Sequence, residues 1–158
     1  MDVSAKRMNE MLTAAYRSIT KVEEQMVFDL SSGKLTLSEM HMLESIGKIG
    51  QKSVTITEIA QDLDITLPSV TAMIKRLERK GYITKLRSNV DARRVHVALT
   101  EEGRRAEIAH RYVRRGIVRE LTADLSVAER EAILTGLDKM IGFIRRQMGE
   151  SAAGKEEE

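Results

Sequence analysis

Residues 55–81, "TITEIAQDLDITLPSVTAMIKRLERKG", constrain this chain more than any other stretch. Thr55 and Glu58 stand at the spacing of a capping box. Ile56, Ile59, Ala60 and Leu63 then fall on one face of a short helix. Only "DIT", residues 64–66, separates that helix from the next, which Thr66 can cap. Pro68 suits its first turn, and Gly81 can take the left-handed position at its end. A turn this short forces the two helices to cross, which describes a helix-turn-helix. Ala60 is the small residue such a crossing needs, and Asp64 tolerates the tight turn better than most non-glycines.

The second helix has two unlike faces. Val70, Ile74 and Leu77 lie together with Met73 at the edge; Pro68, Ala72, Lys75, Arg76 and Arg79 lie opposite, flanked by Ser69 and Thr71. The N-terminal half of the outer face is small and hydroxylic, fit to approach base edges; the C-terminal half is basic and suits phosphates. We therefore expect a recognition surface of Pro68, Ser69, Thr71, Ala72, Lys75 and Arg76, with Thr55, Arg79 and Lys85 on the phosphate backbone. The competing reading is an ordinary amphipathic helix pair.

After Gly81 the period changes from helical to alternating. Val95, Val97 and Leu99 alternate with His96 and Ala98, the pattern of a half-buried strand, and "YITKLRS" (82–88) supplies an antiparallel partner. The tip of this hairpin carries Arg87, Asp91, Arg93 and Arg94. Arginine is favoured in a minor groove by its negative potential, and Asp91 can orient Arg93 or Arg94 before binding. A surface turn with a chance ion pair is the plainer alternative. Residues 66–105 hold ten basic and four acidic side chains, a balance of +6 inside a chain of net charge +2. Such a concentrated basic block is the footprint of a nucleic-acid surface.

Flanking segments are helical. Met8, Met11, Leu12, Ala15, Ile19, Val22, Met26 and Leu30 recur at helical spacing until "SSGK". Thr36 and Glu39 form a second capping box for a helix running through Met40, Leu43 and Ile46 to Gly47 and Gly50. Thr100 ends the second strand and caps a helix with Ile108, Tyr112, Val113, Ile117 and Leu121. "SVAE" (126–129) starts a last helix with Ile133, Leu137, Met140, Ile141, Ile144 and Met148. The fold class is mainly α with a small β-hairpin wing: a winged helix-turn-helix lobe at 36–100, helices at 4–30 and 101–149, and a disordered tail at 151–158. Residues 1–150 form a single domain. The flanking helices cannot bury their apolar stripes on so small a lobe, so they are expected to dimerise. A twofold dimer would set its recognition helices about 34–36 Å apart, matching half-sites one turn apart.

Several functions are disfavoured. Zero cysteines rule out disulfides, thiolate metal sites and thiol redox sensing. There is no Gly-rich phosphate loop or nucleophile elbow, so no enzyme is expected, nor any cofactor. Five aromatic residues (Tyr16, Phe28, Tyr82, Tyr112, Phe143) provide no stacking platform for RNA. A sequence-indifferent architectural DNA binder would lack the base-reading face that Ser69, Thr71 and Lys75 offer. With no long apolar run and an N-terminus broken up by Lys6, Arg7, Glu10 and Arg17, a cytoplasmic protein without membrane partners is expected.

Residues 55–103 resemble the winged helix-turn-helix of the MarR family of bacterial transcriptional regulators. The hairpin matches that family's wing pattern at Asp91, Arg93, Val97, Leu99, Thr100 and Gly103, and "LERKGYI" (77–83) matches the exit of its recognition helix. The resemblance implies a homodimeric, ligand-responsive repressor on a pseudo-palindromic duplex operator, with Arg93, alone or with Arg94, in the minor groove. "LSEMHMLESIGK" and "SNVDARRVHVALTEEG" further resemble the branch that represses fatty-acid synthesis genes. That branch implies an acyl ligand or acyl-carrier-protein effector. Control of efflux, or response to an aromatic acid or phenolic compound, is the second reading. The Met-rich helices at 8–30 and 36–46 suit a hydrophobic effector, although core packing explains the same methionines. Glu24, His41, Glu107 and His110 occur in segments that furnish zinc ligands in some relatives. Here, however, position 106 is Ala and position 114 is Arg, so no metal site is expected.

Overall fold

The computed structural model describes residues 3–49, 53–87 and 95–153. The chain divides into two compact units, Met1–Arg115 and Gly116–Glu158. In chain order the elements are α1 (Val3–Ser31), α2 (Leu37–Ile49), β1 (Val54–Thr55), α3 (Ile56–Leu63), α4 (Leu67–Arg79), β2 (Ile83–Arg87), β3 (Val95–Leu99), α5 (Glu101–Leu121) and α6 (Val127–Ala153). This is a winged helix-turn-helix framed by long helices.

The first unit is built around α2. Met40, Met42, Leu43 and Ile46 are almost fully buried there, packed with Val27, Ile59, Val70, Ile74, Leu77 and Val97. Both α2 methionines are thus core residues, as packing alone would have them. Local chemistry sets the helix ends. Thr36 Oγ1 accepts from the Glu39 N–H at 3.2 Å while Glu39 Oε2 accepts from the Thr36 N–H at 2.9 Å. Thr55 and Glu58 close the same reciprocal box at α3, and Ser126 with Glu129 does so at α6. Asp64 takes the left-handed conformation in the three-residue turn (φ 53°), and Gly81 does so after α4 (φ 80°).

Three local expectations need correction. Of the two glycines expected at the end of α2, Gly47 lies within the helix, which runs to Ile49, the residue before Gly50. The missing side chain instead admits Glu107 of α5: a Cβ at Gly47 would stand 3.1 Å from Glu107 Cδ. The hairpin is part of a three-stranded sheet in the order β1-β3-β2, with Val54 opposite Val97 and Thr55 opposite His96. Two residues are too few to show a period, so β1 is invisible as a pattern. Alternation on β3 is uneven: Val97 is buried, Leu99 half-buried and Val95 exposed.

The second unit holds the end of α5 and all of α6. Helix α6 continues to Ala153, into the segment expected to be irregular; residues 154–158 lie outside the described residues. No described helix is long and apolar enough to cross a membrane.

Candidate nucleic-acid interface

Helix α4 presents the face that its sequence separates. Val70, Ile74 and Leu77 are buried against the core, and Met73 is partly buried at the edge. Pro68, Ser69, Ala72, Lys75, Arg76 and Arg79 are exposed, and Thr71 is half-buried. The N-terminus is held by Thr66, whose side chain accepts from the Ser69 N–H and shares a 2.9 Å hydrogen bond with the Ser69 hydroxyl. Thr71 donates its hydroxyl proton to the Leu67 carbonyl at 2.9 Å, leaving oxygen lone pairs as acceptors. The Lys75 side chain makes no hydrogen bond or ion pair among the described residues, so its ammonium is open to a ligand.

Other basic residues are engaged. The Lys85 ammonium meets Glu78 at 2.5 Å, both half-exposed. Arg79 Nε reaches back to the Lys75 carbonyl at 3.4 Å, a weak bond, and its remaining donors have no partner among the described residues. The Thr55 hydroxyl belongs to the capping box of α3, accepting from the Glu58 N–H and donating to its carboxylate. Thr55 nevertheless lines one groove with Thr57, Leu67, Thr71 and Val95, at the N-terminal ends of α3 and α4. Burial matters little for Glu58; its bonds to Thr55 hold its carboxyl below the usual range. The backbone of Arg87 pairs with Val95 at the far end of the hairpin. The side chain of Arg87 and the whole of Asp91, Arg93 and Arg94 lie outside the described residues.

Thr100 and Gly103 fasten the hairpin to α5. Thr100 Oγ1 donates to the Gly81 carbonyl at 2.7 Å and accepts from the Gly103 N–H at 3.1 Å. The Thr100 N–H donates to the Tyr82 carbonyl at 3.1 Å. One threonine therefore joins the exit of α4, the end of β3 and the start of α5.

Two polar contacts were not legible beforehand. Glu39 is only 2% exposed, yet it binds Lys80 from the end of α4 at 2.7 Å. Its capping role was visible at three residues' spacing; its cationic partner lies 41 residues on. His110 is fully buried, with Nδ1 2.8 Å from Glu44 on α2. Burial by itself would raise the Glu44 carboxyl, but the His110 bond, with Arg114 and His41 nearby, holds it below the usual range. Glu107 pairs with Arg111 at 3.1 Å, and Arg114 pairs with Glu23 at 3.2 Å. His41 is half-buried, and Glu24 is exposed on α1. Among the described residues, no group of three or more histidine or acidic side chains is placed to hold a metal ion.

These elements define a winged helix-turn-helix protein whose α4 offers a hydroxylic and basic face. The chain belongs to the MarR family, which matches residues 35–95. It is similar to the transcriptional repressor MdtR of Bacillus subtilis, 30% identical over 83 residues that make up 52% of each chain. The chain spans 52–60% of the length of the first curated relatives it matches. Among solved structures it is similar to FabT of Streptococcus pneumoniae in complex with DNA. That likeness has 31% identity and a TM-score of 0.84, covering 90% of this chain and 98% of that one. The fold is also that of S. aureus MepR in a DNA complex, with a TM-score of 0.72 at 24% identity over 85% and 94% of the two chains. These relatives are regulators, and the chain groups with them and not with enzymes.

Proposed function

We propose that this protein is a transcriptional repressor that binds a pseudo-palindromic operator as a homodimer. Helix α4 enters the major groove and the wing reaches the adjacent minor groove. The observation that carries this reading is the outer face of α4. Its small N-terminal residues Ser69 and Ala72 are exposed, the Lys75 ammonium is unengaged among the described residues, and Val70, Ile74 and Leu77 anchor the opposite side. The similarity to FabT held on DNA supports it. In this reading Ser69, Thr71, Ala72, Lys75 and Arg76 approach the bases beside Pro68, while Arg79, Lys85 and Thr55 approach phosphates. Arg87, Asp91, Arg93 and Arg94 form the wing contact. Uncovered apolar residues along α1, α5 and α6 support the dimer.

The same similarity supports control of fatty-acid synthesis genes, and the resemblance of residues 37–48 and 88–103 to that branch implies an acyl effector. An apolar cleft between α1 and α5, lined by Val22, Met26, Leu30 and Val113, suits such a chain. Titrating a duplex selected by the protein at several salt concentrations tests the DNA reading. Arg93→Ala should lower its affinity by about 1–3 kcal/mol. Unchanged affinity would remove the wing from the interface, and equal affinity for selected and random duplex would make the protein an architectural binder.

A further inference from the structure

Glu39 sits where a carboxylate is expensive to keep. It is 2% exposed, at the first turn of α2, against the C-terminal end of α4. Burial raises its carboxyl, but the Lys80 and Thr36 hydrogen bonds outweigh burial and hold it below the usual range, so it is anionic at neutral pH. The Lys80 ammonium has three N–H donors. It contacts Glu39 Oε1 at 2.8 Å, Glu39 Oε2 at 2.7 Å and the Lys34 carbonyl at 2.9 Å. Three acceptors stand against three donors, and none is left for a phosphate. Arg76 Nε lies 3.8 Å from Glu39 Oε1, too far for a hydrogen bond, and its side chain is 49% exposed. Of the cations at this end of α4, Lys80 is thus withheld while Arg76 stays available.

We propose that Glu39 is a specificity-determining residue: by holding Lys80 against the α1–α2 loop it limits how many cations α4 offers to the DNA backbone. The inference rests on the DNA-binding reading above. Phosphate contacts strengthen binding to every sequence alike, so a surplus cation tightens random duplex and erodes discrimination. A buried anion that removes one cation protects the contribution of the base-reading residues.

The experiment compares salt dependence for a duplex selected by the wild-type protein from a randomised pool and for a mixed-sequence duplex. Glu39→Gln keeps an acceptor for the Thr36 N–H, as capping boxes with glutamine do, but removes the charge that holds Lys80. The slope of log affinity against log salt should steepen by about 0.9 per chain, with tighter binding to the mixed duplex and a smaller ratio between the two. Adding Lys80→Gln should restore the wild-type slope, and Lys80→Gln alone should leave it unchanged. A folded Glu39→Gln protein with the wild-type slope would overturn the proposal. So would a Lys80→Gln slope shallower by about 0.9, because Lys80 would then already be a phosphate contact. If Glu39→Gln fails to fold, the Lys80→Gln slope decides alone, with the same two outcomes. A wild-type protein that binds neither duplex at low salt defeats the DNA reading and this inference together.

Discussion

Gly103 shows how a single absent side chain serves the wing. A Cβ there would lie 2.0 Å from the Tyr82 carbonyl oxygen, a backbone atom that cannot swing aside. Gly103 therefore lets the first turn of α5 press on the exit from α4, while its N–H bonds to Thr100. Gly103→Ala should destabilise the fold by about 1–3 kcal/mol or more, the range for overpacking, seen as a lower urea midpoint. A wild-type midpoint would mean that α5 can slide away from Tyr82. The glycine was visible in the sequence as part of a resemblance; only the close approach gives it a physical reason. Lys80 is the converse case. It counts toward the basic block in the sequence, yet its ammonium, on a side chain still 35% exposed, is engaged by Glu39.

At the scale of elements, helix starts were legible because capping is local: Thr36, Thr55, Thr66 and Ser126 each bond the backbone three residues on. The two-residue strand β1 and the passage of α2 through Gly47 were not. Both depend on what lies across from them, Val97 in one case and Glu107 in the other. The join between α2 and α5 also makes a pH prediction. Glu44 has its folded pKa below the ordinary value of 4.5 because of His110, Arg114 and His41, despite burial. A depressed carboxylate stabilises the fold in full above its unfolded pKa, and that stability is lost as pH falls through the folded value. Stability measured by urea titration should therefore decline as pH drops below about 4.5, and Glu44→Gln should flatten part of that decline. An identical profile for the variant would show that the His110–Glu44 contact contributes nothing to acid sensitivity.

For the whole molecule, the telling feature is apolar surface left open. Met8, Met11, Tyr16 and Ile19 on α1 are each more than half exposed, as are Leu134, Phe143 and Ile144 on α6. Large apolar side chains left exposed in series along a helix, as on each of these two, mark an interaction face. A homodimer at micromolar concentration is the expected outcome of sedimentation equilibrium. Leu137→Glu with Ile141→Glu, two positions of α6 each 46–47% exposed, should shift it toward monomer and weaken binding to a two-half-site duplex. A wild-type monomer would refute the dimer, and a dimeric double variant would move the contact off this face of α6.

Much of this architecture follows from the sequence alone. Helical and alternating periods, capping pairs spaced by three, the "DIT" turn and the glycine after α4 are signals a few residues long, set by backbone hydrogen bonding and the side of each element that must leave water. They determined the winged helix-turn-helix and the division of α4 into an inner and an outer face. Tertiary structure decided which charges face solvent. Glu39 and Lys80 are 41 residues apart, and Glu44 and His110 are 66 apart. Each pair meets because a buried carboxylate or ring nitrogen costs less with a partner once packing has removed water. No spacing rule reaches that far along a chain, so the packed core sets which cations remain for a ligand.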